Sequence, residues 1–216
     1  MRWLAVVLVV TAVSDLGCGA STHHRAAVAL PSSSSPGPPT TLGPTTTTTS
    51  DPGMLGQTHA LPAPDDESFA LRIEDLWQAI VTGDSTLALA SFFPESAYLQ
   101  TKSGGNNAAD WRYRLLAMYQ LDIAAAHALL GPDAAGAEFV SVTVPTAQAV
   151  WVTPGQEENK GSYYRVYGTR LSYWLDGKTR SFGIYSLLSW RGEWYVVHLG
   201  PNPRSTNRGL VYQPEG

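Results

Sequence analysis

The chain has one cysteine, Cys18, among its 216 residues. An intrachain disulfide is therefore excluded, and so are zinc or iron–sulfur sites built on several thiolates. HxH, HExxH and CxxC are absent, as are a glycine-rich phosphate loop and a Ser-His-Asp spacing, so the sequence points to no metal and no cofactor. Basic residues number 14 against 18 acidic ones and never form a run. The resulting net charge of −4 lacks the electrostatic footprint of a nucleic-acid-binding protein. No apolar stretch reaches the roughly 18 to 20 residues that cross a bilayer.

The first residues, MRWLAVVLVVTAVSDLGCGAST, place one arginine before an apolar run, Trp3 to Val13, and then small residues. That order is the pattern of an export signal. The segment LGCGA resembles the lipobox of bacterial lipoproteins, whose cysteine is diacylated and becomes the first mature residue. Gly17 fits the position before the cysteine, whereas Asp15 stands where the family has leucine. Two readings stand side by side: lipidation at Cys18, with a signal peptide over 1–19, or cleavage after the small-residue triplet Cys18-Gly19-Ala20. A third makes Cys18 incidental to a discarded peptide. Lipidation implies anchoring at the outer face of the cytoplasmic membrane; ordinary cleavage implies secretion.

Residues 20–64 are dominated by Ser, Thr, Pro, Gly and Ala, with SSSSPGPPTTLGPTTTTTSDPG at their centre. Such a composition buries too little apolar surface to offset its ordering entropy, so it is expected to be a disordered, semi-stiff tether. Serine and threonine with proline are also the composition of O-glycosylated stalks. His23, His24 and His59 are expected to be solvated spacer residues.

The folded domain is expected over 65–212. In DDESFALRIEDLWQAIVTGD, acids crowd the first turn, and Phe69, Ile73, Leu76, Trp77 and Ile80 recur at helical spacing. A short helix over STLALASFF follows, then a strand and loop in SAYLQTKSGGNN. A long helix from about Ala109 to Leu130 comes next, with Trp111, Leu115, Met118, Asp122 and Ala125 on one side. The second half changes to runs rich in β-branched and aromatic residues, with tight-turn signals at Asp176-Gly177 and Arg191-Gly192. Helices followed by an antiparallel meander make an α+β domain.

The stretches LWQAIVTGDSTLALASFFPESAYLQ, NKGSYYRVYGTRLSYWLDG and SWRGEWYVVHLG resemble exported actinobacterial lipoproteins with an NTF2-like (SnoaL-like) domain. The resemblance implies a cone, with N-terminal helices packed on a curved sheet and any ligand held between them. It implies little about activity, because such domains serve as enzymes and as non-catalytic modules alike.

If both turns hold two residues, Leu175 faces Lys178, Tyr173 faces Arg180, Trp190 faces Glu193, Leu188 faces Tyr195 and Ser186 faces Val197. Alternation then puts Tyr167, Leu171, Tyr173, Phe182, Ile184, Leu188, Tyr195, Val197 and Leu199 toward the helices. Arg170, Trp174, Tyr185, Trp194 and His198 go to the opposite face, as candidates for a homodimer interface. Candidate catalytic groups on the inner side are Asp122, Tyr98, Tyr167 and Tyr195, with Asp122 either a desolvated base or the partner of an arginine. His127 lies about 140° round the helix from Asp122, so the two make no dyad, and a structural or exposed role is expected. Six of the seven tryptophans fall in the domain; they suit core packing or the stacking of sugar rings. The expected function is a membrane-tethered, non-catalytic binding module for an envelope protein or a small ligand. The alternative is a SnoaL-like enzyme, of isomerase or hydrolase type, acting on a small apolar molecule.

Overall fold

Asp66 begins the first helix: its carboxylate accepts the Phe69 amide at 3.0 Å and caps α1 (Glu67–Thr82), which Gly83 ends. In the computed structural model, which describes residues 51–214, α1 buries Phe69, Ile73, Leu76, Trp77 and Ile80, the face that the spacing predicts. At about 1.5–3 kcal/mol for each large side chain removed from water, this face is worth of the order of 10 kcal/mol before ordering costs.

Asp84 caps a 3-10 turn over Ser85–Ser91. The expected strand after it is instead a helix, α2 (Glu95–Thr101). Pro94 sits at its N-terminus, where a fixed φ favours a helix start, and Ala97, Tyr98 and Thr101 turn inward together. The long helix forms in three parts: α3 (Asn107–Asp110), a π-helical turn over Trp111–Leu116, and α4 (Ala117–Leu130). The wider turn rotates the helix beyond it. The buried positions are therefore Leu115, Tyr119, Asp122, Ile123, Ala126 and Leu130, while Trp111, Met118 and Ala125 are only partly covered. His127 is structural, as expected: its Nδ1 lies 2.9 Å from the Ile80 carbonyl.

Five antiparallel strands complete an α+β domain: β1 (Glu138–Thr143), β2 (Val150–Val152), β3 (Tyr163–Leu175), β4 (Lys178–Trp190) and β5 (Glu193–His198). The order is β1-β3-β4-β5, with β2 also on β3. Both hairpins close as expected, with Leu175 opposite Lys178 and Trp190 opposite Glu193. The central residues Asp176-Gly177 and Arg191-Gly192 all have positive φ, the conformation that matches the twist of two-residue hairpins. Trp77 carries α1 onto the sheet, its ring 5.4 Å from that of Tyr173.

One irregularity changes the far end of the sheet. Leu187 still pairs with Val196, but Ser186 pairs with His198, leaving Val197 as the extra residue of a β-bulge. His198 therefore shares a face with Ser186 and Leu188, contrary to the expected pairing of Ser186 with Val197. The expected interface is corrected with it. Trp194 is fully buried, and His198 is on the other face. Arg170 and Tyr185 are covered by the C-terminal segment: Arg170 donates to Ser181 Oγ at 3.0 Å and to the Pro214 carbonyl at 3.4 Å. Tyr212 packs edge-on to Tyr185 at 5.2 Å. Of the five candidates only Trp174 stays exposed.

The domain also begins earlier than Asp65. Trp190 Nε1 donates to the Pro52 carbonyl at 3.0 Å, and Gln57 donates to the Ser189 carbonyl while accepting the Arg191 amide. His59, expected as a spacer, lies 4.0 Å from Trp151 between ring centroids. Each such hydrogen bond contributes about 0.5–1.5 kcal/mol net. A chain starting at Asp65 is therefore expected to be about 2–3 kcal/mol less stable than one starting at Asp51. Equal urea midpoints for the two would contradict this docking. Cys18, His23 and His24 lie outside the described residues.

Candidate functional site

A cavity of about 630 Å³ lies between the ends of β3, β4 and β5 and the segment running from α2 to the π-helical turn. The sheet supplies Tyr163, Arg165, Tyr167, Tyr185, Ser186 and Leu188, and the bulged end of β5 adds Val197 and His198. The helical side supplies Tyr98, Lys102, Asp110, Arg114 and Leu115, with Ser103, Asn106 and Asn107 at the connecting loop. Glu157, Glu158 and Asn159 close a third side.

The π-helical turn explains how the helical wall is built. Asp110 and Arg114 are four residues apart across its start, and the guanidinium grips the carboxylate with Nε at 2.5 Å and Nη2 at 2.6 Å. Tyr98 donates its hydroxyl to the same carboxylate. The Arg114 hydrogen bonds, followed by the Tyr98 bond, hold Asp110 below the ordinary carboxylate range. Burial, then the adjacent Asp110, push the Tyr98 phenol upward. Lys102 pairs with Glu158 at 2.9 Å, which lowers the Glu158 pKa. Arg165 pairs with Glu157, which also accepts the Tyr163 hydroxyl at 3.0 Å, while the Arg165 guanidinium stacks 4.5 Å from the Tyr167 ring. The three cations of the wall thus face three acids, each in a pair.

At the sheet wall, Ser186 Oγ and His198 Nδ1 are 2.9 Å apart. Burial, then the positive charges of Arg114, Arg204 and Lys102, drive the His198 pKa down to about 3. Its imidazole is neutral at physiological pH, with one nitrogen engaged by serine. A nucleophile needs a base matched to the working pH, and burial weakens His198 as a base for Ser186.

The candidates read from the sequence separate here. Tyr98 and Tyr167 do line the cavity, and Tyr167 is 41% exposed. Asp122 does not: it is 1% exposed and accepts four hydrogen bonds, from the Gly200 and Leu210 amides and both terminal nitrogens of Arg204. It is a structural clasp rather than a general base. Tyr195 does not line the cavity either: it is buried, its hydroxyl donates to Glu193 at 3.0 Å and its ring lies under Arg72. The sequence did not single out Ser186, Asp110, Arg114 or Glu157. The Asp110–Arg114 spacing was the one signal available, and on a helix it reads first as an ordinary surface pair. Among the described residues no cluster of three or more His, Cys, Asp or Glu could hold a metal, and no helix is long and apolar enough to cross a membrane.

Compared with protein-family profiles, curated proteins and solved structures, the chain matches none.

Proposed function

We propose that this chain is a non-catalytic, small-molecule-binding module of the cell envelope, an NTF2-like domain exported and tethered to the membrane through a lipid on Cys18. The cavity beside Ser186 and His198 is its ligand site. Its volume lies within the roughly 300–1,000 Å³ typical of small-molecule sites. The observation that carries the reading is the pairing of the wall's polar groups: Asp110, Glu157 and Glu158 are each bound to a cation, and His198 Nδ1 lies 2.9 Å from Ser186 Oγ. These groups hold shape and hydrogen-bonding direction, whereas an acid–base catalyst needs a group poised near the working pH. The enzyme alternative loses its expected base, Asp122, to the Arg204 clasp.

The test is a ligand-observed NMR screen of the full-length chain against a chemically diverse fragment set, with each fragment reassayed after prolonged incubation. Fragments are expected to bind, to be recovered unchanged, and to lose binding when the rim is blocked by Ser103→Trp. Conversion of a fragment would overturn the non-catalytic reading, and binding indifferent to Ser103→Trp would overturn the site. Mass spectrometry of the mature N-terminus tests the anchor: a diacylated Cys18 is expected, and an unmodified Ser21 would refute it.

A further inference from the structure

The geometry points to an uncharged, polyhydroxylated ring, a neutral saccharide, as the class of ligand the cavity takes; this rests on the cavity being a binding site. Three other ligand classes fit the same wall less well. An anion would compete for cations that are already bound, and separating Arg114 from Asp110 would cost that carboxylate two of its three hydrogen bonds, leaving only the one from Tyr98. A cation meets the converse obstacle. An apolar ligand would remove water from three ion pairs without replacing its hydrogen bonds, which is costly for polar groups. Only Leu115, Leu188 and Val197 in the lining are aliphatic.

A saccharide exchanges the wall's water for hydroxyls that both donate and accept. The wall offers matching groups of both kinds: the carboxylate oxygens of Asp110 and Glu157, the side-chain oxygen of Asn107, whose NH2 is spent on the Lys102 and Gly104 carbonyls, the side-chain amide of Asn202, and the second nitrogen of the His198 ring. The exposed part of the Tyr167 ring, backed by Tyr185 at 5.2 Å, supplies apolar surface against which ring C–H groups pack. Tyr167 is exposed while already held beneath the Arg165 guanidinium, so little side-chain freedom is lost when a ligand covers it.

The experiment is a titration of the isotope-labelled full-length chain, followed by amide and tyrosine-ring shifts. The probes are glucose, galactose, mannose, N-acetylglucosamine and cellobiose, with glucuronate, benzoate and phenol as charged and apolar comparators. At least one neutral saccharide is expected to shift Tyr98, Tyr167 and His198, and glucuronate is expected to bind more weakly than glucose. Tyr167→Ala is expected to weaken that saccharide about tenfold, Tyr167→Phe much less, and Trp174→Ala not at all. Shifts at the cavity from benzoate or phenol alone would overturn the saccharide assignment and leave the binding site standing. Shifts confined to residues outside the cavity would overturn both, and cleavage of cellobiose would overturn the non-catalytic reading instead.

Discussion

Replacing Asp122 by alanine is expected to cost about 3–5 kcal/mol, the penalty for leaving one partner of a buried ion pair uncompensated. Asp122 and Arg204 are 1% and 6% exposed at their side chains, and their two nitrogen–oxygen contacts are 2.6 and 2.7 Å. The same carboxylate accepts the Gly200 and Leu210 amides at 2.8 and 2.9 Å, so it ties the segment after β5 to α4 at three points. The fit is close on every side: a Cβ at Gly200 would stand 2.8 Å from Asp122 Oδ2 and 2.5 Å from the Leu210 carbonyl. Loss of the clasp therefore frees the chain from Gly200 onward, including Tyr212, whose carbonyl accepts the Gly183 amide at 2.7 Å. Thermal unfolding should show a midpoint lower by of the order of 10 °C for Asp122→Ala. The pair Asp122→Leu with Arg204→Met should recover only the part of that loss owed to the lone Arg204 charge, since the Gly200 and Leu210 amides still lack their acceptor. An Asp122→Ala chain as stable as the parent would contradict the clasp, and so would a double variant no better than the single one.

The second large effect is one of pH. His198 has a folded-state pKa of about 3, against about 6.5 for an unperturbed histidine. In this interval the unfolded chain takes up a proton that the folded chain does not, so stability falls as pH drops. The contribution is fully present above about 6.5 and is lost progressively toward 3, amounting to at most about 5 kcal/mol. Asp110, whose pKa is lowered mainly by its Arg114 hydrogen bonds, loses its contribution only below the ordinary carboxylate range. The window from about pH 6.5 to 4.5 therefore reports chiefly on the histidine. Denaturant unfolding across that window should show a falling midpoint in the parent and a much flatter one in His198→Gln, which keeps a hydrogen-bonding side chain beside Ser186. Parallel slopes for the two would contradict the burial of a neutral ring.

How far the sequence led depended on whether a local signal existed. The α1 face and both hairpin turns rest on local chemistry, and the structure has them where the sequence puts them. The helix at Glu95–Thr101 escapes a sequence reading because SAYLQT is short and weakly patterned, and its inward face is set by packing. The π-helical turn at Trp111–Leu116 has no signature in composition, yet it places Asp110 and Arg114 on the cavity wall. The bulge at Val197 has the largest consequence. One unpaired residue moves His198 from the expected interface into the cavity, the inversion that strand alternation makes inevitable after a single-residue slip. The docked segment 51–61 is hidden by composition: proline and glycine suggest a tether, while the hydrogen bonds of Gln57 and the carbonyl of Pro52 depend on a partner surface distant in sequence.

A hydrogen-bonding His198 in the wall of the cavity is what this bulge creates, and the proposed function draws on it. Nitrogen-15 NMR of the His198 ring, followed from about pH 7.5 to 4.5 with and without the best-binding saccharide, probes that state directly. The ring is expected to stay neutral throughout that range, with its Nδ1 held by Ser186 and its other nitrogen shifting when the saccharide is added. A ring that titrates near about 6.5, or one indifferent to every cavity ligand, would refute the placement.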